Sequence, residues 1–111
     1  MDFLRDIYKR RKKYFEELEK YLEEVKKLVD RLCPDAKVYV FGSVVEGDYS
    51  VGLSDIDVAV VSNDFEDRDK KLEVFGKLTK KFFDSPFEFH VLTEEQWGKL
   101  RKFVKKFREI D

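Results

Sequence analysis

Phe41-Gly42-Ser43-Val44-Val45-Glu46-Gly47-Asp48-Tyr49-Ser50-Val51-Gly52-Leu53-Ser54-Asp55-Ile56-Asp57 is the stretch that decides the fold. Just before it, Ala36 to Phe41 is rich in β-branched and aromatic residues, which predicts a strand. Gly42-Ser43 ends that strand. The glycines, serines and Asp48 that follow predict a short turn or helix and a loop over residues 43–54. Asp55 to Val61 is a second strand, and its later part is apolar on both faces, which places it centrally in a sheet.

Two aspartates at the start of a buried strand need a reason. Asp is depleted in strands, and side chains two apart share a face, so Asp55 and Asp57 project as neighbours. Like charges held close repel, and folding gains nothing from them unless cations neutralise them. Magnesium takes oxygen ligands from one or two carboxylates together with substrate phosphates. Gly42 lets the backbone approach another group closely. A short helix starting near Ser43 would aim free N–H groups at an anion, and the Ser43 hydroxyl would add a donor.

Downstream, Ser62-Asn63-Asp64 reads as a turn. A helix is expected over Glu66 to Phe83, with Leu72, Phe75, Leu78, Phe82 and Phe83 facing inward. At roughly 27 Å it would carry the chain back to the starting end of strand two. Strand three, Phe87 to Leu92, then runs parallel to strand two, while strands one and two run antiparallel. Phe87, Phe89 and Val91 take one face, and Glu88, His90 and Leu92 the other. Glu88 is thereby expected as a third carboxylate beside Asp55 and Asp57, and His90 reads as a partly buried structural histidine. Thr93 and Gln96 form a capping box. The last helix is expected to fill residues 93–111, with Trp97, Leu100, Val104 and Phe107 as its buried stripe.

Upstream, Leu4, Tyr8, Phe15, Leu18, Leu22, Val25, Val29 and Leu32 form a helical seam interrupted only by Arg11. One helix from Phe3 to Leu32 follows, stopped by Pro34. At roughly 45 Å it exceeds what so small a domain covers. Part of the seam is therefore expected to meet a partner or a second copy of the chain, a contact suited to Tyr8, Tyr14, Phe15 and Tyr21. The expected architecture is α+β, with a three-stranded mixed sheet packed with helices. It forms one domain over residues 1–111, divided into the long helix (1–33), the sheet (36–92) and the C-terminal helix (93–111).

Composition excludes several classes. The chain has 111 residues, 42% of them apolar, enough for one core. No apolar run reaches membrane-spanning length. The start, Met1 to Asp6, has no apolar core or cleavage site, so no signal peptide is expected and the cytoplasm is the default compartment. Cys33 is the single cysteine, which rules out an internal disulfide. The net charge of −1 leaves nucleic-acid binding open. The basic run Lys9–Lys13 is followed by Glu16, Glu17 and Glu19 and reads as a solvated helix face.

Gly-Ser, eleven residues, then Asp-Ile-Asp within a strand-turn-strand resembles the signature of the DNA polymerase β-type nucleotidyltransferase superfamily. It is most similar to the smallest branch, the minimal nucleotidyltransferases of bacteria and archaea. The motif core spans about residues 37–61, and the element order extends the match to residue 92. The resemblance implies that Gly42 and Ser43 contact a triphosphate, ATP foremost. It implies that Asp55, Asp57 and Glu88 bind two Mg2+ ions, with Mn2+ as the substitute. It implies transfer of AMP to a macromolecular hydroxyl on a helical HEPN-type partner protein, with the pair acting as antitoxin and toxin. Many members carry arginine soon after Gly-Ser, where this chain has Val44, Val45 and Glu46. That departure favours an alternative in which the same fold neutralises its partner by contact alone.

Overall fold

The structure, a computed structural model, describes residues 2–111. The chain runs through α1 (Phe3–Glu16), α2 (Leu18–Leu32), β1 (Lys37–Phe41), α3 (Ser43–Glu46), β2 (Ile56–Val61), a 3-10 turn (Asn63–Glu66), α4 (Arg68–Lys81), β3 (Phe87–Leu92), α5 (Glu94–Arg101) and β4 (Phe107–Ile110).

Valines hold the middle of the sheet. β1 and β2 pair antiparallel, with Val38 opposite Val60 and Val40 opposite Val58, and all four are fully buried. Such β-branched cross-strand pairs are what stabilise a pleated surface. β3 joins β2 in parallel, in a register that puts Asp57 opposite Glu88 and Ala59 opposite His90. These orientations agree with the sequence reading.

The sheet has four strands, in the order β3-β2-β1-β4, where three were expected. α5 starts on the Thr93/Gln96 capping box, as the sequence indicates, but it ends at Arg101 and does not continue through residue 111. Phe107 to Ile110 instead pairs antiparallel with β1, with Ile110 buried opposite Val38. The pairing occupies the backbone groups along the free edge of β1, which a helix there would have left open. Of the expected stripe, Trp97 is buried and Leu100 and Val104 pack beside it, whereas Phe107 is a strand residue lying edge-on to the Trp97 ring.

α1, α2 and α4 cover one face of the sheet. The expected single helix bends at Glu17, whose φ of −112° and ψ of 39° leave the helical region. At the bend the Glu17 N–H still bonds the Lys13 C=O, and the Tyr21 N–H bonds the Glu17 C=O. No proline or glycine marks it. The gain is tertiary: Tyr14 and Phe15 on one side and Leu22, Val25 and Val29 on the other are all buried. Tyr14 and Tyr21, ring centroids 4.4 Å apart, meet across the bend. Tyr14 and Phe15 thus serve the chain's own core, not a partner, while Phe3, Leu4 and Tyr8 stay exposed.

α4 also differs in its buried face. Val74, Leu78 and Phe82 point inward at steps of four, whereas Leu72, Phe75 and Phe83 are exposed. Phenylalanine and leucine occur all round this helix, so apolar identity alone did not select the face; Asp67, which caps it by accepting from the amides of Asp69 and Lys70, fixes its start. The opposite face of the sheet carries a smaller cluster of Phe41, Ala59, Val61 and Trp97 under α5. That cluster covers only one end of the face. The other end presents Asp57, Glu88 and His90.

Candidate active site

Gly42 sits where β1 gives way to α3, with φ of 86° and ψ of −160°, a region essentially reserved for glycine. A Cβ placed on it would fall 2.5 Å from Asp57 Oδ2. The turn and the strand-two carboxylate are therefore packed against each other. The single-turn helix α3 begins at Ser43. The amides of Val45 and Glu46 bond the Gly42 carbonyl and that of Gly47 bonds Ser43, while those of Ser43 and Val44 have no protein partner among the described residues. These two amides follow directly on the Gly42 turn that abuts Asp57. Val44 and Val45 pack partly buried against the main core.

Asp57 and Glu88 face each other across β2 and β3. His90 Nε2 lies 3.2 Å from Asp57 Oδ1 and 4.0 Å from Glu88 Oε1. One ligand-capable atom from each of the three residues falls within 4.8 Å of the others. Among the described residues no lysine or arginine pairs with Asp55, Asp57 or Glu88. The Glu88 carboxyl is pushed up from its ordinary value by partial burial and then by the charge of Asp57; His90 pulls the other way, and Asp55 adds a smaller upward push. The His90 imidazole is also raised, first by its hydrogen bond to Asp57 and against the effect of burial. Burial leads the first shift and Asp57 the second, and the negative charge of Asp57 contributes to both; a divalent cation would neutralise that charge. The mixed oxygen and nitrogen donors at this spacing fit such an ion.

Of the residues singled out from sequence, Gly42, Ser43, Asp57 and Glu88 are thus brought to one place. Asp55 is exposed, one residue ahead of β2, and outside the three-residue group. His90, read from sequence as structural, is inside it. The signal was present in the parity of β3, which puts His90 on the Glu88 face; the unseen part was the register that sets it beside Asp57.

α1 braces the segments leading to these acids. Arg11 donates from Nε to the Val51 carbonyl at 2.8 Å and from Nη2 to the Ser54 carbonyl, immediately before Asp55. One turn on, Phe15 stacks on Tyr49 at 4.9 Å. On the neighbouring face Arg10 pairs with Asp84 at 3.1 Å and Tyr14 meets Phe87 edge-on, just ahead of Glu88. The Arg11 that breaks the apolar seam is explained by this role.

A family model described as a nucleotidyltransferase domain matches residues 8–110. Among solved structures, the chain is similar to a presumed nucleotidyltransferase with 58% identity and a TM-score of 0.75, over 82% of this chain and 98% of that one. It also shares its fold with a presumed nucleotidyltransferase from Sulfolobus solfataricus, with a TM-score of 0.61 and 24% identity, over 87% of this chain and 82% of that one. No curated protein matches the chain.

Proposed function

The chain belongs to the nucleotidyltransferase domain family, and on that premise we propose that it transfers AMP from ATP to a hydroxyl of a macromolecular acceptor. One observation carries this reading: Gly42 backs directly onto Asp57, so a turn with free amides and an acidic pair share one spot. Ser43, with the amides of Ser43 and Val44, would hold the triphosphate. Asp55, Asp57 and Glu88 would hold Mg2+, two ions by the family pattern, with Mn2+ as substitute. The metals would supply Lewis-acid stabilisation of the attacking and leaving oxygens. The acceptor hydroxyl attacks the α-phosphorus, the bond to the bridging oxygen breaks, and pyrophosphate leaves on the Ser43 side. Glu88 either ligates one of the metals or accepts the hydroxyl proton.

The acceptor we favour is a helical HEPN-type protein in the cytoplasm, with the present chain as its antitoxin. The exposed Phe3, Leu4 and Tyr8 of α1 offer apolar surface for that partner or for a second copy. A contact-only binding module is the second reading, favoured by the half-buried Glu46, which has no ion-pair partner among the described residues, where an arginine would serve phosphate. The two separate in one experiment. Protein, ATP labelled at the α-phosphate, Mg2+ and the product of the adjacent gene are mixed. Label transfer that vanishes in Asp57→Ala supports the enzyme. A stable complex without label supports the module.

A further inference from the structure

We propose that the cation seated between Asp57 and Glu88 takes His90 Nε2 as a nitrogen ligand, and that the site on this account prefers a transition metal, Mn2+ before Mg2+. This rests on the metal-dependent reading above and goes beyond its all-oxygen ligand set.

Geometry supports it. Ligands about 2.1 Å from a common ion stand about 3.0 Å apart at right angles and about 4.2 Å apart across it. The imidazole nitrogen lies 3.2 Å from one carboxylate oxygen and 4.0 Å from the other, within that range. The placement comes from the backbone: β3 parity sends Glu88 and His90 to one face, and the register sets them opposite Asp57 and Ala59. Ala59 is the small residue of that pair and leaves room for the ring. The Phe41 ring, centroid 5.3 Å from the imidazole, packs against it and limits its rotamers. A ligand held this way loses little freedom on binding.

Chemistry gives the preference. Mg2+ dehydrates reluctantly and is served by carboxylate, phosphate and water. Mn2+ shares the carboxylate and water ligands of Mg2+ but is the softer transition-metal ion, so one imidazole in an otherwise oxygen set shifts the site toward Mn2+ relative to Mg2+. The plainer alternative, that His90 only hydrogen-bonds Asp57, uses the same 3.2 Å contact but puts no nitrogen on the metal.

The sequence makes the test clean, since His90 is the only histidine. Tag-free protein loaded with Mn2+ is examined by pulsed electron paramagnetic resonance for nitrogen coupling, alongside Asp57→Asn and His90→Gln. A directly bound imidazole signal in the wild type, lost in His90→Gln, is expected. With it, the preference for Mn2+ over Mg2+ should fall about tenfold or more in His90→Gln. The wild-type spectrum decides the point even if the variant folds poorly. Mn2+ bound in an Asp57-dependent manner without nitrogen coupling overturns the inference and leaves the enzymatic reading standing. No Asp57-dependent Mn2+ binding overturns both.

Discussion

Gly42→Ala tests the packing on which the site depends. Gly42 has φ of 86° and ψ of −160°, and an added Cβ meets Asp57 Oδ2 at 2.5 Å. The backbone strain alone is worth about 1–3 kcal/mol. To relieve the clash Asp57 must rotate away from His90, giving up a hydrogen bond worth about 0.5–1.5 kcal/mol. The sum is about 1.5–4.5 kcal/mol, or a drop in Tm on the order of 10 °C for a domain of this size. Gly47→Ala is the control. Gly47 also has a left-handed φ, of 88°, but nothing lies within 4 Å of a Cβ there, so it should show only the strain, about 1–2 kcal/mol. Urea unfolding of both variants, with Mn2+ titration of the folded state, gives the comparison. Gly42→Ala should lose both more stability than Gly47→Ala and most of its metal affinity. If Gly42→Ala unfolds within about 0.5 kcal/mol of wild type and binds metal unchanged, the turn and the carboxylate do not abut as described.

Three further outcomes follow from the same coordinates. His90 is raised above its ordinary value of 6.5, so its contribution to the metal-free fold is full below that pH and is lost as pH rises through the folded value; Glu88, also raised, acts in the same direction at lower pH. Metal-free protein should therefore melt lower at pH 8 than at pH 6, with the difference reduced in His90→Gln, as read by calorimetry in chelator. Arg11→Ala leaves the Val51 and Ser54 carbonyls without their guanidinium and should cost about 1.5–3 kcal/mol, with faster amide exchange through residues 50–54. Leu78→Ala should cost about 2–5 kcal/mol and Leu72→Ala about 0.5 kcal/mol or less, and equal losses in urea unfolding would refute the assigned face of α4.

The sheet was legible where chemistry constrained it. Asp55 and Asp57 at the head of an apolar strand, and Gly42-Ser43 at the end of another, could meet only if those strands ran antiparallel, and they do. The return through α4 then required a parallel β3, which put Glu88 opposite Asp57. What stayed hidden depends on contacts distant in sequence. Phe107 and Ile110 stand three apart and continue the helical spacing of Trp97, Leu100 and Val104, so nothing local announces a strand; the open edge of β1 chose it. The bend at Glu17 has no local breaker and exists because Tyr14 and Phe15 are buried beyond it. His90 gained its neighbours only through the register of β3 on β2.

A titration with a non-hydrolysable ATP analogue, in divalent metal and again in chelator, probes the shared site most directly. If the Gly42-Ser43 turn and the Asp57 carboxylate grip one metal–triphosphate unit, binding should require metal, disappear in Asp57→Asn and weaken in Ser43→Ala. Equal binding in chelator, or binding indifferent to Asp57, would contradict a common site for turn, carboxylate and nucleotide.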